Sequence, residues 1–330
     1  MNQIARLVSI GMGIAITTAM SAFLLVAPNA ALAQAAGRVV MGFGPASALG
    51  VVTTLTADKL REGLGRPFIH DNRAGGEGFI AIEAVKSSEP SGYTLLMAPI
   101  ANICIYPHTW KKLPYDPMRD FIPVSMVGAF SIALTTGPAA PTRNIAEFIA
   151  WAKANPKQAA FGSPGTGNIP QFYGMTFAKV AGITLSVVPY KGPAPLINDL
   201  LGGHVAASMT GLGDFITHAR AGRVNILAHT GRERSKLMPD VPTFRELGYQ
   251  GLQGGSWYGL FAPAGTPAAM VDRINRIVVA GQQAPDMNER MLSLNMDIEL
   301  MTAAEFAATV RADFDRWGET IRAAGFAGSE

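Results

Sequence analysis

Two glycine-bearing stretches carry residue types suited to holding an anion. One is Ser163-Pro164-Gly165-Thr166-Gly167-Asn168, and the other is Tyr190-Lys191-Gly192. Each follows a short apolar run and precedes a helical pattern. Backbone N–H groups at helix N-termini favour a carboxylate or another anion. The whole stretch from Ala160 to Gly203 reads as strand, loop, helix, strand, loop, helix. That is the unit of a parallel α/β layer. In such layers the loops leaving the carboxyl ends of the strands bind ligands, so both loops belong to one edge. The chemistry expected is non-covalent capture of an anion.

Several of these residues also have a purely structural assignment. Ser163 either bonds a ligand or caps the next helix. Asn168 either contacts a ligand or N-caps the helix at Ile169, and capping is the simpler role. Lys191 either pairs with an anion or is an ordinary exposed lysine. A nucleophile elbow is absent, because Pro164 stands between Ser163 and Gly165. Earlier in the chain, Gly42 to Ser47 resembles a fragment of G-x-G-x-x-G. It lacks the third glycine and a following acid, which favours a tight strand-to-helix turn over a dinucleotide site. Trp257 and Tyr258 are assigned to core or hinge packing, with an aromatic cleft wall as the alternative. Arg232-Glu233-Arg234 is expected to be a solvated turn.

The surrounding elements follow from periodicity. Arg38 to Met41 is a strand, Ser47 to Leu64 a helix with Ser47 as N-cap, and Phe68-Ile69 opens a second strand. A loop at Asp71 to Gly78 precedes a helix from Phe79 to Ser87, and Tyr93 to Met97 is a third strand. Phe121 to Thr136 is extended and apolar, able to carry the chain from one domain to another. A helix from Asn144 to Ala154 is expected to be capped by Thr142. After the central stretch come a strand (Val205 to Met209), a helix (Phe215 to Ala221) and a strand (Val224 to His229). Ser256 to Ala262 is a returning strand. Helices from Pro267 to Val279, Asp286 to Leu294 and Ala303 to Ala323 are expected to pack back onto the first domain. The strand-loop-helix order implies parallel sheets in two similar halves.

The chain opens with Arg6, a long apolar run and Ala31-Leu32-Ala33, which is the pattern of a cleavable signal peptide over residues 1–33. Cleavage of 33 from 330 residues leaves 297, enough for two domains of ~150 residues. Removing Arg6, one of 27 Lys+Arg, against 24 Asp+Glu leaves a net charge of +2. So balanced a charge argues against nucleic acid as a partner. The single Cys104 is expected to be a buried apolar residue. With no Cys/His cluster and five unclustered histidines, neither metal nor cofactor is expected.

Taken together, DNRAGGEGFIAIEAV, SGYTLL, LPYDPMRDFIPV, FGSPGTGN, VPYKGPAPLINDLLGG, LMPDVPTFRELGY and WYGLFAPAGTP resemble the tripartite tricarboxylate transporter substrate-binding family, also called the Bug family. The resemblance covers about Arg38 to Phe326. It implies an α/β, type II periplasmic binding protein-like fold, with two lobes joined by two crossing strands around a ligand cleft. Lobe 1 would be 37–130 and 256–330, and lobe 2 would be 131–255. It further implies a non-enzymatic, monomeric periplasmic receptor for a small carboxylate. Its partner would be the membrane permease subunits of such a transporter or, in a sensing role, a membrane histidine kinase. An exported enzyme on the same fold is the weaker alternative.

By motif position the first-lobe contacts would be Phe43, Gly44, Pro45, Ala46, Ser47, Gly75, Gly76, Ala98 and Pro99. The second-lobe contacts would be Ser163, Gly165, Thr166, Gly167, Asn168, Tyr190, Lys191 and Gly192, with Asp199 matching a family aspartate. The chain departs from the family pattern PFxPGGxxDxxAR. It has Gly42 for Pro, Ala46-Ser47 for Gly-Gly, Gly50 for Asp and Thr54 for Arg, and RAGGEG stands where RPGAGG is usual. Family His and Glu after the second-lobe loop become Gln171 and Met175. These changes point to a less polar carboxylate, with an aromatic one among the alternatives.

Overall fold

The computed structural model describes residues 36–45 and 47–328. The expected signal peptide and Ala46 lie outside the described residues. Strand β1 (Gly37–Met41) leads to α1 (Ala48–Leu64), and β2 (Phe68–Asn72) to α2 (Phe79–Lys86). β3 (Thr94–Pro99) leads through a π-helical turn (Ala101–Ile105) to short α3 (Tyr106–Thr109) and α4 (Pro117–Asp120). β4 (Phe121–Phe130) and β5 (Ile132–Thr136) are separated by Ser131 alone. Next come α5 (Ile145–Ala154), β6 (Ala160–Ser163), α6 (Ile169–Val180), β7 (Ser186–Pro189) and α7 (Pro193–Leu201). β8 (Ala207–Gly211), α8 (Ile216–Arg220) and β9 (Asn225–His229) follow. β10 (Ser256–Pro263) precedes α9 (Ala268–Gln283), α10 (Pro285–Ser293) and α11 (Ala303–Ala323).

Local chemistry sets the helix ends. Ser47 accepts a hydrogen bond from Gly50 N, and Gly65 ends α1 in the left-handed region at φ 65°. At α11, Thr302 and Glu305 form a reciprocal capping box. The cap of α5 is Asn144, whose Oδ1 accepts from Glu147 N at 2.9 Å, and not the expected Thr142. Thr142 is buried two residues earlier, where its carbonyl takes the Thr136 hydroxyl at 3.1 Å.

Two five-stranded sheets result, in the orders β2-β1-β3-β10-β4 and β7-β6-β8-β5-β9. The helix-connected pairs β1–β2, β1–β3, β6–β7 and β6–β8 are parallel, as expected. β10 and β5 run antiparallel to their neighbours, so both sheets are mixed. The chain leaves the first sheet at Phe130, enters the second at Ile132, and returns at Ser256. The two crossings touch. Ser256 pairs with Phe130, and Gly255 sits at φ 56° where a Cβ would lie 2.7 Å from the Phe130 carbonyl oxygen. Thr230 binds them further: its N–H donates to Ile132 O at 2.9 Å and its Oγ1 accepts from Ile132 N at 3.0 Å. Gly254 N then donates to Thr230 O at 2.8 Å. This is a two-lobed α/β protein with a paired crossing.

The C-terminal helices do pack on the first lobe, α9 against α1 and β4, and α11 against β4. They do more than expected, because α11 also reaches the second lobe. Trp317 lies 6.0 Å and 5.1 Å, centroid to centroid, from Phe172 and Tyr173 of α6. Phe326 meets Phe172 edge-on at 5.4 Å. The reach is anchored in the first lobe, where buried Trp257 donates its indole N–H to Asp313 Oδ2 at 2.8 Å. Trp257 is thus a core residue. The run at Arg232 to Arg234 is exposed, as expected of a solvated turn, and it makes ion pairs: Arg232 lies 3.6 Å from Glu299, and Arg234 Nε contacts both Glu246 oxygens at 3.0 and 3.1 Å. Exposed pairs of this kind contribute ~0–1 kcal/mol each.

Candidate functional site

A cavity of about 760 Å³ lies between the two sheets, and both lobes line it. From the first lobe come Ala48 at the start of α1, Glu77, Tyr106, Trp110 and Tyr258. From the second come the loop between β6 and α6 and the segment Thr210–Asp214 at the end of β8. Phe130 and Ile132, either side of the crossing, form part of its wall.

Only some of the expected contacts reach this space. Thr166, Gly167 and Asn168 line it. Ser163 lies beneath them, fully buried, and its hydroxyl donates to Asn168 Oδ1 at 2.9 Å. The same Oδ1 caps α6 by accepting from Gln171 N at 2.9 Å. Asn168 is therefore a cap and a cavity residue at once. Gly165 and the Tyr190-Lys191-Gly192 turn stand outside the lining. Tyr190 instead donates its phenol to Asp199 Oδ2 at 2.9 Å, and burial together with that carboxylate pushes the phenol up to about 12. Asp199 thus has a structural partner, and Lys191 is exposed.

In the first lobe the expected residues lie one step away from the cavity. Phe43 is half-buried, its carbonyl taken by the Asn72 side-chain amide. Gly44 O accepts the Ser47 hydroxyl at 2.6 Å. The Pro45 carbonyl oxygen stands 2.1 Å from where a Cβ on Gly50 would be. The family aspartate cannot enter at Gly50 with this loop in place. Ala48 lines the cavity where Phe43, Gly44, Pro45 and Ser47 do not, Glu77 where Gly75 and Gly76 do not, and Ala101 where Ala98 and Pro99 do not. For the Tyr190-Lys191-Gly192 turn the reason is strand order: β7 is the outer strand of its sheet, whereas the cavity stands by the crossing strands.

The residues not anticipated follow the same geometry. Thr210 to Asp214 leaves the carboxyl end of β8, beside β6. The strand-end rule reaches this segment as readily as the two loops read from sequence. Burial pushes the Asp214 carboxyl up, and the Thr210 hydroxyl donates to its Oδ2 at 2.7 Å. Glu77 sits at φ 53°, in the left-handed region, and its Oε2 accepts the Tyr106 hydroxyl at 3.2 Å. Among the described lining residues these are the two acids, and no Lys or Arg accompanies them. Tyr258 meets Phe130 at 5.4 Å and Tyr106 meets Trp110 at 6.1 Å, so aromatic rings form much of the wall. The alternative of an aromatic cleft wall holds for Tyr258.

Two of the N–H groups at these helix starts already have internal acceptors. Ser47 Oγ accepts from Gly50 N at 3.2 Å at the start of α1. Gln171 Oε1 accepts from Gly167 N at 2.8 Å at the start of α6. Both acceptors are departures from the family pattern. Cys104 is buried, and burial pushes its thiol up, away from reactivity. Among the described residues no helix is long and apolar enough to cross a membrane.

These features match known proteins. Protein BugT of Bordetella pertussis is 31% identical over 293 residues, covering 87% of this chain and 89% of its own. The periplasmic binding protein BugD is a solved neighbour at 28% identity and TM-score 0.67, with 88% of this chain and 98% of that chain covered. An R. palustris protein solved with adipate has 26% identity and TM-score 0.71 over the same shares. The sequence profile described as the tripartite tricarboxylate transporter family receptor, TctC, matches residues 52–326, and the chain belongs to that family.

Proposed function

We propose that this receptor captures a small carboxylate in the periplasm and presents it to the membrane subunits of a tripartite tricarboxylate-type transporter. The observation that carries the reading is the cavity between the lobes, of about 760 Å³, with Thr166, Gly167 and Asn168 at the N-terminus of the 12-residue helix α6. Its volume suits a small solute, and a helix N-terminus suits a carboxylate. The adipate held by the R. palustris neighbour supports the same ligand class. A ligand touching both lobes stabilises the closed arrangement, because its binding energy is collected in full only when both lobes meet it. In this reading the second-lobe contacts are Thr166, Gly167 and Asn168, and the first-lobe contacts are Ala48, Glu77 and Tyr106.

A thermal-shift screen against mono-, di- and aromatic carboxylates, followed by calorimetry on the hits, tests the proposal. A ligand at a hundred times its Kd stabilises by ~2.7 kcal/mol, which a melting curve resolves. Thr166→Ala should weaken a hit by ~0.5–1.5 kcal/mol if the hydroxyl contacts it. A panel in which no carboxylate shifts the melting temperature refutes the assignment.

A further inference from the structure

We propose that the solute held in this cavity is a zwitterion, with a carboxylate at one end and a cationic nitrogen, ammonium or quaternary ammonium, at the other. The inference rests on the reading of the cavity as a carboxylate receptor and narrows its ligand class. Glu77 enters from the first lobe and Asp214 from the second, and both line the same space. No ion pair joins either acid to a Lys or Arg among the described residues. Their hydrogen bonds run to neutral groups, the Tyr106 hydroxyl for Glu77 and the Thr210 hydroxyl with the Gly211 backbone N–H for Asp214. A carboxylate offers about four lone-pair directions, and one or two donors leave capacity for a ligand donor.

Asp214 is part-buried without a cation, which is costly, and a cationic ligand group would offset that cost; Glu77 is exposed and adds its charge at the rim of the same space. A plain dicarboxylate would instead bring a second negative charge into a space that already holds two. The walls argue the same way. Tyr106, Trp110, Phe130 and Tyr258 present aromatic surface to the cavity, and ring faces attract cations, alkylated ammonium groups included. The anion end has its own place at Thr166–Asn168, at the start of α6. There Gln171 already occupies the Gly167 N–H, so the site is built for one carboxylate and modest anionic demand. Because the two acids belong to different lobes, a cation between them also draws the lobes together.

Calorimetry on the full mature chain with four probes of one length decides the matter. All four share a four-methylene chain and a carboxylate: 5-aminopentanoate, 5-(trimethylammonio)pentanoate, hexanoate and adipate. At least one cationic probe should bind tenfold or more tightly than both hexanoate and adipate. Glu77→Gln and Asp214→Asn should each cut that preference at least threefold. The inference is overturned if adipate or hexanoate matches both cationic probes, or if the preference survives both substitutions unchanged. The preference of the unmodified chain decides even where a variant does not fold. If adipate or hexanoate binds and the cationic probes do not, the carboxylate receptor stands and only the zwitterion falls. If none of the four binds and the wider carboxylate panel is also silent, the receptor reading itself is lost.

Discussion

Replacing Asn168 with alanine removes one oxygen that serves two donors. Its Oδ1 accepts from Gln171 N and from the Ser163 hydroxyl, each at 2.9 Å. Loss of the cap costs ~1 kcal/mol. Ser163 is fully buried, so its stranded hydroxyl adds ~1–2 kcal/mol that water cannot relieve. Asn168→Ala should therefore destabilise by ~2–3 kcal/mol. Ser163→Ala alone forfeits one net hydrogen bond, ~1 kcal/mol. The double variant has no stranded hydroxyl and should cost ~1–1.5 kcal/mol, well below the sum of the two. Urea denaturation followed by tryptophan fluorescence, at constant m, reads these differences. Additivity within ~0.5 kcal/mol would refute the shared-acceptor arrangement. It would return Asn168 to the role of a simple cap.

Gln171→Ala should free the Gly167 N–H and tighten carboxylate binding about fivefold, from a net hydrogen bond of ~1 kcal/mol; an unchanged or weaker Kd by calorimetry contradicts the internal plug. His229 is wholly buried, and desolvation depresses it to about 4. It is neutral in the fold and takes a proton on unfolding below its ordinary value of 6.5. Its contribution is therefore complete above pH 6.5 and fades as pH falls towards 4, on the order of 3 kcal/mol in all. In His229→Asn the fall of the urea midpoint between pH 6.5 and pH 4 should be shallower than in the parent chain, and parallel slopes would disprove the assignment.

Ser47 and Asn168 are legible as helix caps because a capping oxygen reaches only about three residues ahead. The two halves are legible because apolar runs and glycine turns recur locally. Thr142 misleads because Asn144, two residues on, is as good a cap, and burial of Thr142 is decided by Thr136 and not by its neighbours. Tyr190-Lys191-Gly192 has the right chemistry on the wrong strand. Nothing in its sequence marks β7 as the outer strand, since strand order depends on pairings between distant segments. Gly50 is the reverse case: a departure visible in sequence whose cause, the Pro45 carbonyl at 2.1 Å from the missing Cβ, exists only in the folded loop. Glu77 escapes notice because it adjoins two glycines that look like the functional residues, while its own φ of 53° sets it in the wall of the cavity.

β10 lies between β3 and β4, and among the described residues it is the only strand that pairs with β4 in the first sheet. It is also made last, after every strand of the second sheet. A chain growing from its N-terminus can therefore finish the younger sheet while the older one stands open. Until Ser256 to Pro263 arrive, β3 has one bare edge and β4 has two. Such edges are templates for wrong pairing, and closing them across so long an intervening segment is slow. The order of synthesis and the order of completion run in opposite directions, so the N-terminal lobe is the one that spends longest exposed.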